Sequence, residues 1–290
     1  MRVPEIVVLG GGGWHGARLM EACAAQGLVA TTLPFAACRL EPAGVRLGGL
    51  AGLPKAVLVR TIPAGTFEQV TLRLGLLHAL EASGVVVLNP PRAIERCVDK
   101  AATSFHLAST GLPTPPTWAV ERPDQARALV AAEAAAGHTL VLKPLFGAQG
   151  KGLRLLRRPE ELPDETEVAG VWYLQRYVEP PRLFEDYRVL VIGGRAIAAM
   201  RRRSARWPTN VRQGGVPEPV AAEGALARLA VAAAAAVGAD HAGVDLIADR
   251  DGRLFLLEVN SMPAWQGLQG VTAADLAAAL VAHLAARIAR

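Results

Sequence analysis

The stretch GVDLIADRDGRLFLLEVN, residues 243–260, sets Asp245, Glu258 and Asn260 among apolar residues on either side of a polar centre. Asp251-Gly252 in that centre is a strong signal for a two-residue β-hairpin turn. With this pair at the tip, counting outward puts Asp245 directly opposite Glu258. Asn260 lies two positions beyond Glu258, on the same face of its strand. The stretch therefore predicts a hairpin on which three oxygen-bearing side chains converge.

Two carboxylates that face each other across a hairpin repel, and a bound cation removes that cost. A set of oxygen ligands without histidine or cysteine suits magnesium or manganese and not zinc. The other interpretation is a solvated hairpin face that happens to carry acids. The strongly apolar neighbours favour burial, and therefore the metal site; they are Leu246, Ile247, Leu256, Leu257 and Val259.

Residues 141–152, VLKPLFGAQGKG, predict a strand that ends at Lys143 and is followed by a glycine-rich loop. Glycine lets backbone amides approach an anion closely, and lysine supplies a point charge for phosphate. The loop is not a Walker loop, because the Lys-Ser/Thr pair at a helix start is missing. It predicts a phosphate site, with an ordinary hairpin loop as the alternative.

Residues Gly11 to Gly16 follow an apolar strand and formally match the dinucleotide fingerprint G-x-G-x-x-G. That fingerprint also needs an acid at the end of the second strand to hold a ribose, and the second strand region, Leu28 to Phe35, has none. A tight strand-to-helix turn beside a substrate cleft is therefore favoured. A nicotinamide-dependent oxidoreductase remains the alternative.

The chain has 290 residues, 51% of them hydrophobic, and a formal net charge of +5, which is typical of a globular protein with room for two or three small domains. Its positive charge is concentrated in Met200–Arg206, where a solvated face, a nucleic-acid patch and a phosphate or carboxylate site all stay open. Cys23, Cys38 and Cys97 lack the spacing of a disulfide framework or a zinc motif. The longest apolar run, Leu229–Gly238, is too short to cross a bilayer, so a cytoplasmic protein is expected.

Strand-like and helical runs alternate up to the turn Asn89-Pro90-Pro91, as in a parallel sheet. The expected division is an α/β part at 1–91, a central part at 92–171 and a third part at 172–290. The third part is expected to begin with the strand Trp172–Tyr177 and to contain the acidic hairpin. The expected fold class is α/β, with α+β character in the second and third parts.

In their order and spacing, these motifs resemble the ATP-grasp superfamily, and most closely its RimK-like glutamate ligases, from about Val85 to the end of the chain. The segments that carry the resemblance are 89–94, Asp99-Lys100, 112–115, Lys143-Pro144 with its glycine loop, Asp186-Tyr187-Arg188, Thr209-Asn210 with Gly214-Gly215, Gly243-Val244-Asp245 and 258–263. The resemblance implies a pre-ATP-grasp domain, a central lid subdomain and a C-terminal antiparallel subdomain with the metal site. It implies an ADP-forming carboxylate–amine ligase.

The resemblance also implies a role for each site residue. Ten residues would bind ATP through its phosphates, the lid loop, the adenine hinge and the ribose. They are Lys100, Lys143, Gly147, Gln149, Gly150, Gln175, Arg176, Tyr177, Val178 and Asp186. Those that would hold two magnesium ions, or manganese, are Asp245, Glu258 and Asn260. Those that would stabilise charge at the transferred phosphate are Arg188, Arg203 and Asn210.

Two departures from the family pattern bear on the substrate. The hinge has Arg176 where the family usually has an acid, and Glu179 is the substitute expected at the ribose. After Asn260 the chain reads Ser261–Gly267, and Trp265 is expected beside the acceptor.

The expected reaction adds L-glutamate to a small molecule such as tyrosine, tyramine or a glutamyl chain, as in methanofuran- or methanopterin-type cofactor biosynthesis. A protein C-terminus is the alternative acceptor. No nucleic-acid or membrane partner is expected, and homo-oligomerisation is left open.

Overall fold

The computed structural model describes residues 3–147, 152–181, 184–205, 207–209 and 214–289. The first sheet is parallel, with its four strands in the order β2-β1-β5-β6. Its strands are β1 (Ile6–Leu9), β2 (Ala30–Leu33), β5 (Ala56–Val59) and β6 (Val86–Leu88), with helices α1 (Gly13–Ala25) and α2 (Phe67–Ala82) between them. A 3-10 turn (Phe35–Ala37) and a small antiparallel hairpin, β3 (Cys38–Glu41) with β4 (Gly44–Leu47), follow β2. The apolar runs of β1 and β5 are fully buried, as expected for strands covered on both faces.

The second sheet is antiparallel, in the order β7-β10-β8-β9. Its elements are β7 (Thr117–Val120), β8 (Leu140–Lys143), β9 (Arg154–Leu156) and β10 (Trp172–Arg176), with helix α5 (Pro123–Ala135) and 3-10 turns at Pro159–Glu161 and Glu165–Val168. Helices α3 (Pro91–Val98) and α4 (Lys100–Ser109) lead into it. Strand β10 pairs with β7 and β8, so the second sheet extends past residue 171, where the sequence predicts the third part to begin. The three-part division itself stays a prediction.

The third sheet is antiparallel, in the order β13-β12-β11-β14-β15. Its elements are β11 (Phe184–Ile192), β12 (Arg195–Ser204), β13 (Val216–Val220), β14 (His241–Ala248) and β15 (Leu254–Asn260), with helices α6 (Gly224–Val237), α7 (Gln266–Gln269) and α8 (Leu276–Ile288). The expected fold class, a parallel sheet followed by antiparallel sheets, is confirmed. In the part of the chain that the structure describes, no helix is long and apolar enough to cross a membrane.

The first and third sheets share one apolar core, in which α1, β11, β12 and the closing helix α8 contribute buried residues. A polar contact joins the same two sheets. The buried Asn89 amide donates to the carbonyls of His241 (2.7 Å) and Ser261 (2.6 Å), and its oxygen accepts from the His241 amide at 2.9 Å. The end of β6 is thereby tied to both strands of the acidic hairpin.

The acidic hairpin has the predicted pairing, reached by a different turn. The two-residue turn would pair Arg250 with Arg253, but the Asp249 amide bonds to the Arg253 carbonyl at 2.9 Å, so the loop has three residues. Asp249 stabilises this loop because its side chain accepts from the Arg253 amide at 2.8 Å. A bulge opposite the Asp245/Leu246 step then shifts the register by one, so Asp245 still lies opposite Glu258.

Candidate active site

A cavity of about 540 Å³ lies where residues of the three sheets meet. The second sheet contributes the end of β8 and β10, the third contributes β11, β12 and the acidic hairpin, and the first contributes the loop after β5. The predicted site residues that line the cavity are Lys100, Lys143, Gly147, Gln175, Arg176, Tyr177, Val178, Asp186, Arg188, Asp245, Glu258 and Asn260.

At the acidic end, Asp245 is buried between two arginines. Arg188 binds both of its oxygens at 2.7 Å, and Arg202 approaches one of them at 3.2 Å. Burial alone would raise the pKa of Asp245, but the two guanidinium groups outweigh it and lower the pKa to about 2. Asp245 is therefore ionised at neutral pH.

Arg202 is a site residue that the sequence does not single out. It is 3% exposed and binds both oxygens of Asp186, at 2.6 Å and 2.5 Å. Thr209, another lining residue, also hydrogen-bonds to Asp186. Asp186, predicted to approach a ribose, thus holds the arginine that in turn contacts Asp245.

Four further residues were predicted for the site. Gln149, Gly150 and Asn210 lie outside the described residues, so their roles stay predictions. Arg203 is described but lies on the other face of β12 from Arg202, because successive side chains of a strand alternate. It approaches Glu185 and Glu218 at 3.3 Å and 3.5 Å. Arg202 therefore lines the cavity and Arg203 does not, and the catalytic role of Arg203 stays a prediction that this geometry does not support.

Two lysines face the acidic hairpin from the second part of the chain. Lys100 lies 3.5 Å from Glu258 and donates to the Gly147 carbonyl at 2.5 Å. Lys143 donates to the Gln175 side-chain oxygen at 2.5 Å. Burial lowers the pKa of Lys143 to about 8, and the nearby Lys100 charge lowers it too, against the opposing effect of Glu258. The depressed pKa of Lys143 thus reflects burial that the nearby carboxylates offset only in part.

The three predicted metal ligands share one region of the cavity, with Glu258 opposite Asp245 and Asn260 opposite Gly243. The Asn260 oxygen accepts from the Met262 amide at 2.9 Å, which fixes its orientation. No group of three or more His, Cys, Asp or Glu suited to a metal is found among the described residues. The set here is two carboxylates and an amide. Each carboxylate has about four lone-pair sites, and its arginine or lysine partners occupy only part of them. The remaining oxygen sites fit Mg²⁺.

The predicted hinge runs along the end of β10. The Arg176 and Tyr177 amides already donate to the Pro116 and Thr139 carbonyls, both at 2.8 Å. The Arg176 side chain is bound to Glu133 at 2.8 Å and 3.0 Å. Glu179, the expected ribose substitute, does not line the cavity. It pairs at the surface with Arg250 at 2.5 Å.

The cavity extends to the carboxyl ends of the parallel strands, where Arg60, Thr61 and His15 line it. Sequence patterns gave no reason to select Arg60. Trp265, expected beside the acceptor, is 3% exposed and absent from the cavity lining. It packs edge-on against His15, with the ring centroids 4.8 Å apart, and its amide donates to His15 Nε2 at 3.0 Å. Trp265 thus supports His15, which does face the cavity.

The basic run near Arg201 does not form an unpaired charged patch in its described part. Arg201 binds Glu218 at 2.7 Å, while Arg202 and Arg203 bind the acids named above. With these charges compensated inside the protein, little of the run is left for a nucleic-acid backbone.

Comparison with known proteins identifies related chains. A family described as the RimK-like ATP-grasp domain matches residues 97–284. The chain is 37% identical over 234 residues to the tetrahydromethanopterin:alpha-L-glutamate ligase of Methanococcus maripaludis, covering 78% of this chain and 77% of that one. It is 33% identical over 237 residues to a probable alpha-L-glutamate ligase of Xanthomonas axonopodis pv. citri, covering 77% and 79%.

Two solved structures share the fold over nearly the whole chain. The ATP-grasp ligase PsnB, in complex with a minimal precursor, Mg and ADP, superimposes with a TM-score of 0.75 at 24% identity, covering 99% of both chains. The D-cycloserine synthetase DcsG superimposes with a TM-score of 0.72 at 22% identity, covering 98% of this chain and 99% of that one. At these identities the likeness establishes the fold alone.

Proposed function

The chain belongs to the RimK-like ATP-grasp family and is an ATP-dependent ligase, and on that premise we propose that it joins L-glutamate to the carboxylate of a small-molecule acceptor in the presence of Mg²⁺. The observation that supports this most is that the cations of Lys100, Lys143, Arg188 and Arg202 meet the carboxylates of Asp245 and Glu258 in one cavity. That arrangement suits a polyphosphate with its divalent cation.

The proposed reaction has two steps. The acceptor carboxylate attacks the terminal phosphorus of ATP, which forms an acyl-phosphate and releases ADP. The amino group of glutamate then attacks the acyl carbon, phosphate leaves with the bonding electrons, and the amine proton passes to solvent. Neither step needs a nucleophile from the protein, so its work is positioning and charge stabilisation.

The cations are assigned by their place in the cavity. Lys100 and Lys143, at the second sheet, bind the phosphates of the nucleotide. Arg188 and Arg202, at the third, stabilise the charge that develops on the transferred phosphoryl group. Each arginine already holds a carboxylate, which fixes its guanidinium group before substrate arrives. Such preorganisation avoids reorganisation at the moment of reaction.

Asp245, Glu258 and Asn260 would hold magnesium. The ion would neutralise phosphate oxygens and polarise the phosphoryl group. Glu258 is the more open carboxylate of the two, with its side chain 34% exposed against 9% for Asp245. We therefore assign the first contact with the metal to Glu258.

The adenine is assigned to the hinge at the end of β10. Because the Arg176 and Tyr177 amides are already bonded within the protein, we assign the contact with adenine to the Val178 amide. Gln175 acts on Lys143 through its side chain, and Asp186 approaches the ribose side.

Glutamate and a small-molecule acceptor are supported by the relatives, whose names specify alpha-L-glutamate ligases and, for one, tetrahydromethanopterin. A glutamyl chain offers such an acceptor carboxylate. With a tyrosine- or tyramine-like amine the roles would reverse: a glutamate carboxylate would be activated, and the amine would attack it. Cytoplasmic location, where ATP is available, belongs to this proposal. Manganese in place of magnesium, and the number of ions, are left to the assay.

The test incubates the purified protein with ATP, Mg²⁺, isotope-labelled L-glutamate and a small-metabolite extract, and follows ADP and labelled amides by mass spectrometry. Glu258→Gln should abolish both signals, since it removes the more open metal-binding carboxylate. Glu218→Gln is the matched control, because Glu218 pairs with Arg201 outside the cavity.

Labelled amide formed by wild type and Glu218→Gln, and lost in Glu258→Gln, supports the proposal and gives the acceptor from the product mass. Label recovered only on protein C-termini would replace the small-molecule acceptor with a protein. ADP release without any labelled product would reject glutamate. An unchanged rate in Glu258→Gln would refute the metal assignment.

A further inference from the structure

Arg60 occupies a special place in the parallel sheet. The strand order β2-β1-β5-β6 means that the chain leaves β1 in one direction and returns on its other side at β5. Ligands in open parallel sheets bind beside such a switch point, at the carboxyl ends of the strands. Gly10 follows β1 there, and Arg60 follows β5, with the Arg60 amide donating to the Leu9 carbonyl at 2.8 Å. The fold thus presents Arg60 at its switch point.

The charge of Arg60 is not balanced by an acid among the described residues. Its Nη1 donates to the Met262 carbonyl at 2.9 Å, and its Nε is buried without a hydrogen-bond partner. Arg176, Arg188 and Arg202, the other described arginines that line the cavity, each hold a carboxylate at 2.8 Å or less. Burial lowers the pKa of Arg60 to about 10, so it is still a cation at neutral pH. Even partial burial of an unpaired charge carries a cost, which a bound anion would remove.

The surroundings of Arg60 offer donors and no competing acid. Thr61 and His15 line the same end of the cavity, whereas the acids that line it lie along the third sheet. Burial, with the Arg60 charge in support, lowers the pKa of His15 to about 4, so His15 is neutral. Its Nε2 accepts from the Trp265 amide, which assigns the ring proton to Nδ1. This end is therefore built for an anion.

We infer that Arg60 binds a carboxylate of the amino-acid substrate that takes no part in the reaction. This rests on the proposed function. The reacting carboxylate of the acceptor must lie against the phosphate-binding cations, so the switch-point arginine serves a different carboxylate. A guanidinium group can bind such a carboxylate through two parallel hydrogen bonds.

The test measures two bindings by calorimetry: Mg-ADP to the free protein, and then L-glutamate to the protein–Mg-ADP complex. Arg60→Met should weaken glutamate binding roughly 10- to 100-fold, the usual effect of losing a hydrogen-bonded charge. It should leave Mg-ADP binding within about twofold, because Arg60 contacts none of the groups assigned to the nucleotide. Arg60→Lys keeps the charge without the planar fork of the guanidinium group, so its affinity for glutamate should lie between those of wild type and Arg60→Met. Arg39→Met, at an exposed pair with Glu41, is the control.

The same complex is titrated with L-glutamine and with L-glutamic acid α-amide, each of which lacks one carboxylate. One of these amides should bind to wild type as weakly as glutamate binds to Arg60→Met. The carboxylate that this amide lacks is the one that Arg60 holds. Glutamate binding unchanged in Arg60→Met or Arg60→Lys overturns the inference. So does a wild-type complex that binds neither glutamate nor the amides. Failure to bind Mg-ADP is a separate result, and it refutes the proposed function itself.

Discussion

Replacing Arg202 by methionine removes the cation that joins two buried carboxylates. Arg202 binds Asp186 through two contacts of 2.6 Å and 2.5 Å and reaches Asp245 at 3.2 Å. Asp245 keeps Arg188 in the variant, but among the described residues Asp186 keeps only the hydrogen bond from Thr209. One buried carboxylate is therefore left without a countercharge.

The expected loss of unfolding free energy at pH 7 is about 3–5 kcal/mol, the range measured when one partner of a buried ion pair is removed. The matched control is Arg201→Met. Arg201 is on the same strand but on the other face, and it pairs with Glu218 while 29% exposed. Solvent screens that pair, so its loss should cost less than about 1 kcal/mol.

The loss in Arg202→Met should shrink as pH falls. Burial already raises the pKa of Asp186, and losing Arg202 raises it further. The folded variant then holds a proton that the unfolded chain, with an aspartate pKa of about 3.9, has released. Because the folded state binds more protons, the variant gains stability relative to wild type as pH falls from 7 towards 4.

Urea unfolding at pH 7 and pH 5, followed by tryptophan fluorescence, measures both effects. A second variant that also changes Asp186 to leucine should recover much of the loss, since the unpaired charge is gone. A loss no greater than that of Arg201→Met, or one that is the same at both pH values, would refute the electrostatic account of this cluster.

Three further predictions concern the fold and the nucleotide site. Gly16→Ala should destabilise the protein by roughly 2 kcal/mol or more, because the added Cβ would lie 1.5 Å from the Gly11 carbonyl oxygen. A Cβ added at Gly12 would have no atom within 4 Å, so the stability of Gly12→Ala should stay within about 1 kcal/mol of wild type. Thermal melts compare the two variants. Asn89→Ala should cost about 2–4 kcal/mol in urea unfolding, because it leaves the buried His241 amide and carbonyl without these partners; a loss below about 1 kcal/mol would contradict that role. Binding of Mg-ADP at pH 8 should take up roughly half a proton, because the phosphates raise the pKa of Lys143 from about 8 towards its normal value near 10.4, and affinity should fall as pH rises above 8. Calorimetry in buffers of different ionisation enthalpy measures this uptake, and an equal uptake in Lys143→Met would assign the proton elsewhere.

The hairpin shows how far local sequence reaches. Alternation and turn chemistry are local properties, so residues 243–260 predict a hairpin with Asp245 opposite Glu258, and the structure has that pair. The two-residue turn was wrong, because the Asp249 side chain stabilises a longer loop. The pairing was still right because a bulge restores the register. Turn and bulge each shift the pairing by one, and no local pattern indicated that both occur.

The sequence by itself determined the order of elements, the ATP-grasp resemblance and twelve of the residues that line the cavity. Buried strands, glycine turns and motif spacing are properties of neighbouring residues, so they can be read from the sequence. Only the tertiary structure decided that β10 joins the second sheet, that Arg202 and not Arg203 faces the cavity, and that Arg60 is a half-buried cation without an acid among the described residues. Each of these depends on which strand pairs with which, and on which face then lies against another part of the chain. Such long-range contacts set burial and charge balance, and through them the chemistry of the site.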